Sequence, residues 1–88
     1  MDEKEFYEKI IFHLGDKNQI TVAIEELSEL QKELCKYLRG DMDYYNIAEE
    51  IADVEIMLEQ LKIIFLNESD VEETKKEKIN RTIERYLR

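Results

Sequence analysis

The sequence contains no proline and only two glycines, Gly15 and Gly40, among its 88 residues. These are the two residue types that most strongly interrupt helices, so few positions are marked as breaks. Charged residues make up 40% of the chain, and Leu, Ile and Val recur at helical rather than alternating spacing. The sequence therefore predicts an all-α protein, folded as one domain over residues 1–88.

The sequence also lacks the features of secreted, membrane and duplex-binding proteins. A single cysteine, Cys35, cannot form an internal disulfide, which favours a reducing cytoplasm. The first residues lack the basic and apolar regions of a signal peptide, and no apolar run approaches membrane-spanning length. The formal net charge of −9 argues against a binder of duplex nucleic acid, which would carry a basic surface. We expect a cytoplasmic protein with neither a membrane nor a nucleic-acid duplex as partner.

Capping residues divide the chain into four predicted helices. Gly15 and Gly40 follow the first two as C-terminal stops. Asn18, Asn46 and Ser69 are the expected N-caps of the last three, Ser69 with the best capping-box spacing. The predicted helices cover residues 3–14, 20–39, 46–66 and 69–87, with a connection over residues 41–45.

Apolar residues on the second and third predicted helices form two seams. The steps alternate between three and four residues, so the two helices are expected to pack antiparallel across the turn at Gly40. The predicted seams are Ala23, Leu27, Leu30, Leu34 and Tyr37 on one helix, and Ile47, Ile51, Val54, Leu58, Leu61 and Phe65 on the other. The third helix has a second apolar face, at Ala52, Ile56 and Ile63, which we expect another subunit to help cover.

Two acidic pairs follow these seams. Glu26 with Glu29, and Glu50 with Asp53, are each three residues apart and so face one way on a helix. Two adjacent helices would bring these four carboxylates together, and oxygen-only ligands suit Mg²⁺. A carboxylate-held Mg²⁺ usually implies a phosphate-bearing substrate.

The acidic residues have interpretations other than a Mg²⁺ site. Acidic residues on a highly charged helix are commonly a solvated face, but Glu50 borders the apolar seam, where an ionised carboxylate is costly unless paired. A di-iron bundle needs Glu-x-x-His on two helices, and the only histidine, His13, has no such partner. No EF-hand loop and no Gly-rich phosphate loop are present. Glu25 points away from the acidic pairs, and Glu49 has a capping role available.

A basic stripe runs along the last predicted helix. Lys78, Arg81 and Arg85 are spaced by three and four residues and so share a face. One interpretation is a clamp for a polyphosphate, which Lys36 on the second helix would join. The other is that cations simply favour a helix C-terminus.

The two acidic sets also carry a family resemblance. Two motifs within the stretch 23–65 carry it: Glu-Glu-Leu-Ser-Glu-Leu at residues 25–30 and Glu-Glu-Ile-Ala-Asp-Val at residues 49–54. They resemble MazG-type nucleotide pyrophosphohydrolases of the all-α NTP pyrophosphatase superfamily. The resemblance implies a four-helix, MazG-like bundle completed by oligomerisation, as a homodimer or homotetramer. It also implies Mg²⁺ ligation by the catalytic residues Glu26, Glu29, Glu50 and Asp53, and hydrolysis of a nucleoside triphosphate to the monophosphate and pyrophosphate. The alternative is a non-catalytic helical interaction or regulatory module, in which these acids merely keep the surface soluble.

Overall fold

Four α-helices make up the computed structural model, which describes residues 1–41 and 44–88. In chain order they are α1 (Glu3–Leu14), α2 (Asp16–Leu38), α3 (Tyr44–Ile64) and α4 (Glu68–Tyr86). The described residues contain no β-strand. The prediction of an all-α chain with four helices is confirmed. No helix in the described part of the chain is both long and apolar enough to cross a membrane.

The junction between α1 and α2 is a single glycine. The side chain of Asp2 caps α1 by accepting a hydrogen bond from the Glu5 amide at 2.8 Å. Gly15, with φ +92°, ends α1 and donates its amide to the Ile11 carbonyl at 2.7 Å. Because a positive φ redirects the chain within one residue, no linker is needed, and α2 begins at once. Asn18 therefore lies inside α2, and its predicted role as N-cap is wrong.

The later helix boundaries also differ from the prediction. Helix α3 already contains Asn46, and α4 already contains Ser69, so neither is an N-cap; Asn67 precedes the first residue of α4 instead. Between these helices, Leu66 adopts φ +53° and the Asn67 amide donates to the Lys62 carbonyl at 3.2 Å. This is the hydrogen bond of a Schellman-type helix end. Residues 42 and 43 of the predicted connection lie outside the described part.

Helices α2 and α3 pack side by side in opposite directions and share the most extensive contact in the fold. Helix α1 lies against both of them, whereas α4 contacts α3 alone among the described elements. Buried hydrophobic residues are few in the described ranges and come from the first three helices: Ile11, Ala23, Val54 and Met57. The core is therefore the three-helix layer α1–α2–α3, with α4 outside it.

Both predicted seams are confirmed only in part. The buried or part-buried members are Ala23, Leu30, Ile47, Val54 and Leu61, whereas the exposed members are Leu27, Leu34, Tyr37, Ile51, Leu58 and Phe65. The inward faces are rotated so that polar residues also take part: they include Gln19, Ala23, Glu26, Leu30 and Glu33 on α2, and Ile47, Glu50, Val54, Met57, Gln60 and Ile64 on α3. These sets have the same three- and four-residue steps, so periodicity alone could not choose between them.

A buried pair of glutamines explains part of that rotation. Gln19 and Gln60 are 3% and 2% exposed, and Gln19 Nε2 donates to Gln60 Oε1 at 2.7 Å. Asn18 Nδ2 donates to Gln19 Oε1 at 2.9 Å, and Gln60 Nε2 lies 3.7 Å from the sulfur of Met57. Buried amides are tolerated when they are hydrogen-bonded, and a directional bond between helices penalises sliding. The pair therefore sets the register of α2 against α3.

Replacing Gln60 by Leu should destabilise the fold, since it leaves the Gln19 amide buried without its partner. We expect a loss of about 1–3 kcal/mol in the free energy of unfolding. The double variant Gln19→Leu, Gln60→Leu should recover much of that loss, because two apolar groups of similar shape leave no unpaired donor. Denaturant titration of the single and double variants measures this coupling. Additive losses would show that the two amides act independently.

Candidate metal centre

Three carboxylates meet where α2 and α3 face each other. Glu26 from α2 and Glu50 and Asp53 from α3 each offer an oxygen atom, and these three atoms lie within 4.8 Å of one another. The i,i+3 spacing places Glu50 and Asp53 on one side of α3, and the antiparallel register brings Glu26 opposite them. Three of the four predicted ligands are thus brought together.

Glu26 is part-buried and surrounded by like charge. Burial raises the pKa of Glu26 above its ordinary 4.5; the charge of Asp53, a hydrogen bond with Asp53, and the charges of Glu50 and Glu29 raise it further. A carboxyl hydrogen bond to another carboxyl requires a shared proton, so this pair favours one neutral partner when no cation is near.

Glu50 lies in an environment that disfavours its negative charge. Burial raises its pKa first, followed by the charges of Asp53, Glu29, Glu33 and Glu49. Its Oε2 atom is buried and has no hydrogen-bond partner among the described residues. An acceptor in that position carries a desolvation cost that a cation or a donor would offset. The donor set and this unpaired oxygen fit a hard divalent cation such as Mg²⁺.

Glu29 lies beside this group but outside its tight cluster. Its side chain is exposed, one helical turn after Glu26, and its charge acts on both Glu26 and Glu50. Its oxygens are not among the three that lie within 4.8 Å. Ligation by Glu29 stays a prediction. Glu25 and Glu49, which the sequence predicts to lie outside the site, are both exposed.

An ion pair between the buried Glu33 and the part-buried Lys36 lies next to the cluster and has no counterpart in the sequence prediction. Glu33 is 9% exposed, and its Oε1 atom lies 3.3 Å from Nζ of Lys36, one turn further along α2. Its charge acts on Glu50, which places it on the same side of the helix pair. The spacing in the sequence does indicate this position, because Glu33 follows Glu26 by seven residues and Glu29 by four, which puts it on the same side of the helix. Lys36, predicted as a phosphate ligand, is thus at the edge of the acidic group.

The basic residues of α4 are placed differently. Lys78, Arg81 and Arg85 are exposed, and α4 has no contact with α2 within the described part of the chain. A single chain does not bring them beside Glu26 and Glu50. Their role as phosphate ligands stays a prediction.

A scan against protein-family models and searches of curated proteins and of solved structures found no match for this chain. The resemblance to MazG-type enzymes therefore stays a prediction that rests on the motif residues.

The raised pKa values of Glu26 and Glu50 predict a pH dependence of stability. A folded state with raised carboxyl pKa values binds protons more tightly than the unfolded chain does. This stabilisation is complete below the ordinary pKa of 4.5 and is lost as the pH rises through the raised values. The melting temperature in a chelator should therefore fall through this pH range because of these groups. Tyr7 and Lys62, whose pKa values are also raised, titrate far above it.

The same scan in millimolar Mg²⁺ supplies the comparison. A cation that binds only the folded, ionised cluster should stabilise it most at the higher pH and so flatten the decline. The double variant Glu26→Gln, Glu50→Gln should give a flatter profile in the chelator. If this variant keeps the full wild-type decline, the titrating groups lie elsewhere.

Replacing Glu50 by Gln tests the cluster at neutral pH. The change preserves shape and removes one of the mutually repelling charges, so the melting temperature of the metal-free protein should rise. The rise that Mg²⁺ produces in the wild type should be lost. Glu25→Gln is the matched control, since its side chain is exposed on the neighbouring position; its effect should stay within about 0.5 kcal/mol. A full Mg²⁺ response in Glu50→Gln would contradict the cluster.

Proposed function

We propose that this protein is an Mg²⁺-dependent nucleoside triphosphate pyrophosphohydrolase, which converts an NTP or dNTP to the monophosphate and pyrophosphate. One observation carries the proposal: Glu26, Glu50 and Asp53 each place a carboxylate oxygen within 4.8 Å of the other two, and Glu50 also has a buried oxygen, Oε2, without a partner among the described residues. These residues belong to the two motifs that resemble the MazG-type enzymes.

In the proposed enzyme Glu26, Glu29, Glu50 and Asp53 hold Mg²⁺. The ion supplies neutralisation of phosphate charge and polarisation of a water molecule. The protein's contribution is mainly positioning and electrostatics, as phosphoryl transfer generally requires. The register between α2 and α3 is therefore the feature that prepares the site, because it sets the distance between Glu26 and the two acids of α3.

The proposed reaction transfers the α-phosphoryl group to water. A bond forms between the water oxygen and the α-phosphorus, and the bond from that phosphorus to the oxygen bridging to the β-phosphate breaks. Pyrophosphate leaves with that oxygen, and one of the neighbouring carboxylates would accept the proton that the attacking water gives up. Lys36, which lies beside the acids, would contact the departing phosphates, and Lys78, Arg81 and Arg85 would join it in an oligomer.

Product analysis tests the proposal. The pure protein is incubated with a panel of canonical and modified nucleoside triphosphates, with Mg²⁺ or with chelator. We expect Mg²⁺-dependent release of pyrophosphate and the monophosphate from at least one of them. Glu50→Gln should lower turnover by orders of magnitude, because charge neutralisation at the phosphate is lost, whereas Glu25→Gln should retain it.

Two results would contradict this function. Release of orthophosphate and nucleoside diphosphate alone would place the attack at a different phosphorus. Inactivity across the whole panel would favour the non-catalytic interaction module.

A further inference from the structure

Helix α4 has almost no packing within its own chain. It spans 19 residues, yet Val71 is its only residue that is even part-buried. Its departure from α3 is set by the Schellman-type bond from the Asn67 amide to the Lys62 carbonyl, not by a core of its own. A helix in water gains most of its stability from packing an apolar face, so α4 needs a surface that its own chain does not supply.

One face of α4 is apolar. Ile79, Ile83 and Tyr86 follow each other by four and three residues and are 55%, 38% and 70% exposed. At 100° per residue these three lie within about 60° of arc, and Val71 lies about 60° beyond Tyr86, followed on that same side by Lys78 and Arg85. An exposed apolar stripe with a charged border is typical of a surface that binds another protein.

A matching groove lies between α1 and α3. Its volume is about 1110 Å³, and it is lined by apolar and mixed side chains that include Tyr7, Ala52, Ile56, Ile63 and Phe65. Val71 and Lys75, in the first turns of the chain's own α4, form its edge. Ala52, Ile56 and Phe65 are exposed in the single chain. Ala52, Ile56 and Ile63 are the second apolar face of α3, for which the sequence predicts a cover.

Charge links this groove to α4. Residues 71–88 carry six basic and four acidic side chains, whereas the rest of the chain carries seven and eighteen. On the α1 and α3 sides the groove is lined by three acids, Glu3, Glu55 and Glu59, and by two lysines, Lys4 and Lys62, of which Lys62 lies 2.9 Å from Glu59. After burial, the charges of the three acids are what raises the pKa of Tyr7 within the groove. This side of the groove therefore has a small excess of negative charge, and the border of the α4 stripe is positive.

We propose that α4 of one chain docks its Ile79–Ile83–Tyr86 stripe into the α1–α3 groove of a second copy, which returns its own α4 in the same way. Reciprocal exchange is two-fold symmetric and closes as a dimer. The exchange does not depend on the proposed catalytic function.

Sedimentation velocity of the full chain tests the exchange. The variant Ile79→Glu, Ile83→Glu keeps good helix formers at exposed positions but puts charge into the docked stripe. We expect the wild type to be at least a dimer at micromolar concentration. The variant should fall to half that mass or less, with a dissociation constant raised at least about a hundredfold, as for a central interface residue. Circular dichroism verifies that the helices remain.

A control addresses the competing apolar surface. Ile24→Glu changes a residue of α2 that is 60% exposed and does not line the groove, and it should leave the assembly intact. If Ile24→Glu dissociates the assembly and the α4 variant does not, subunits meet through α2 and the exchange is wrong. A wild-type monomer at tens of micromolar also overturns it.

Mixing two defective variants identifies α4-to-groove docking specifically. Ile56→Glu damages the groove and leaves α4 intact, whereas the Ile79→Glu, Ile83→Glu variant has the opposite defect. Each alone should be monomeric, but a mixture should form dimers, because one intact α4 meets one intact groove. Pairing of α4 with α4 predicts that Ile56→Glu alone still dimerises, and that result would overturn the exchange.

Discussion

The register between α2 and α3 is the constraint on which the rest of the structure depends. It is held by one directional contact, the 2.7 Å hydrogen bond between the buried amides of Gln19 and Gln60. Apolar contacts alone tolerate sliding and rotation, because one Leu packs much like another, whereas an amide that loses its partner in the core carries the full cost of desolvation. This bond aligns the two helices so that Glu26 lies opposite Asp53.

That alignment places acids where a solvated face would otherwise be expected. Three acids, Glu26, Glu33 and Glu50, lie on the inner faces of α2 and α3. The surroundings of the three carboxylates differ. Glu33 is paired with Lys36, Glu26 shares a hydrogen bond with Asp53, and Glu50 has an oxygen without a partner among the described residues. The fold therefore leaves one carboxylate, Glu50, in an unfavourable environment while the neighbouring acids have partners. Perturbed carboxylates of this kind are typical of binding and catalytic sites.

Few apolar residues are buried in the described chain, and the reason is geometric. The inner positions of α2 and α3 are partly taken by glutamine and glutamate, so leucines and isoleucines such as Leu27 and Ile56 face outward. Together with α4, these surfaces leave apolar area exposed in the single chain, which the proposed exchange would cover. In that exchange the acidic body and the basic α4 would give the contact between copies a direction, because like surfaces would repel.

The amino-acid sequence by itself determined the all-α class, four helices, the stop of the first helix at Gly15, and the grouping of Glu26, Glu50 and Asp53. Each follows from a local rule: periodicity, the positive φ that glycine permits, or i,i+3 spacing. It did not determine which of two equally periodic faces of α2 and α3 turns inward. That choice depends on the pairing of Gln19 with Gln60, forty-one residues apart, and such a contact has no local signature. The same applies to the burial of Glu33 and to the helix starts, since Asn18, Asn46 and Ser69 were predicted as N-caps but lie inside the helices. Neighbouring side chains compete to cap the same helix start. The packing of the folded chain determines at which residue each helix begins.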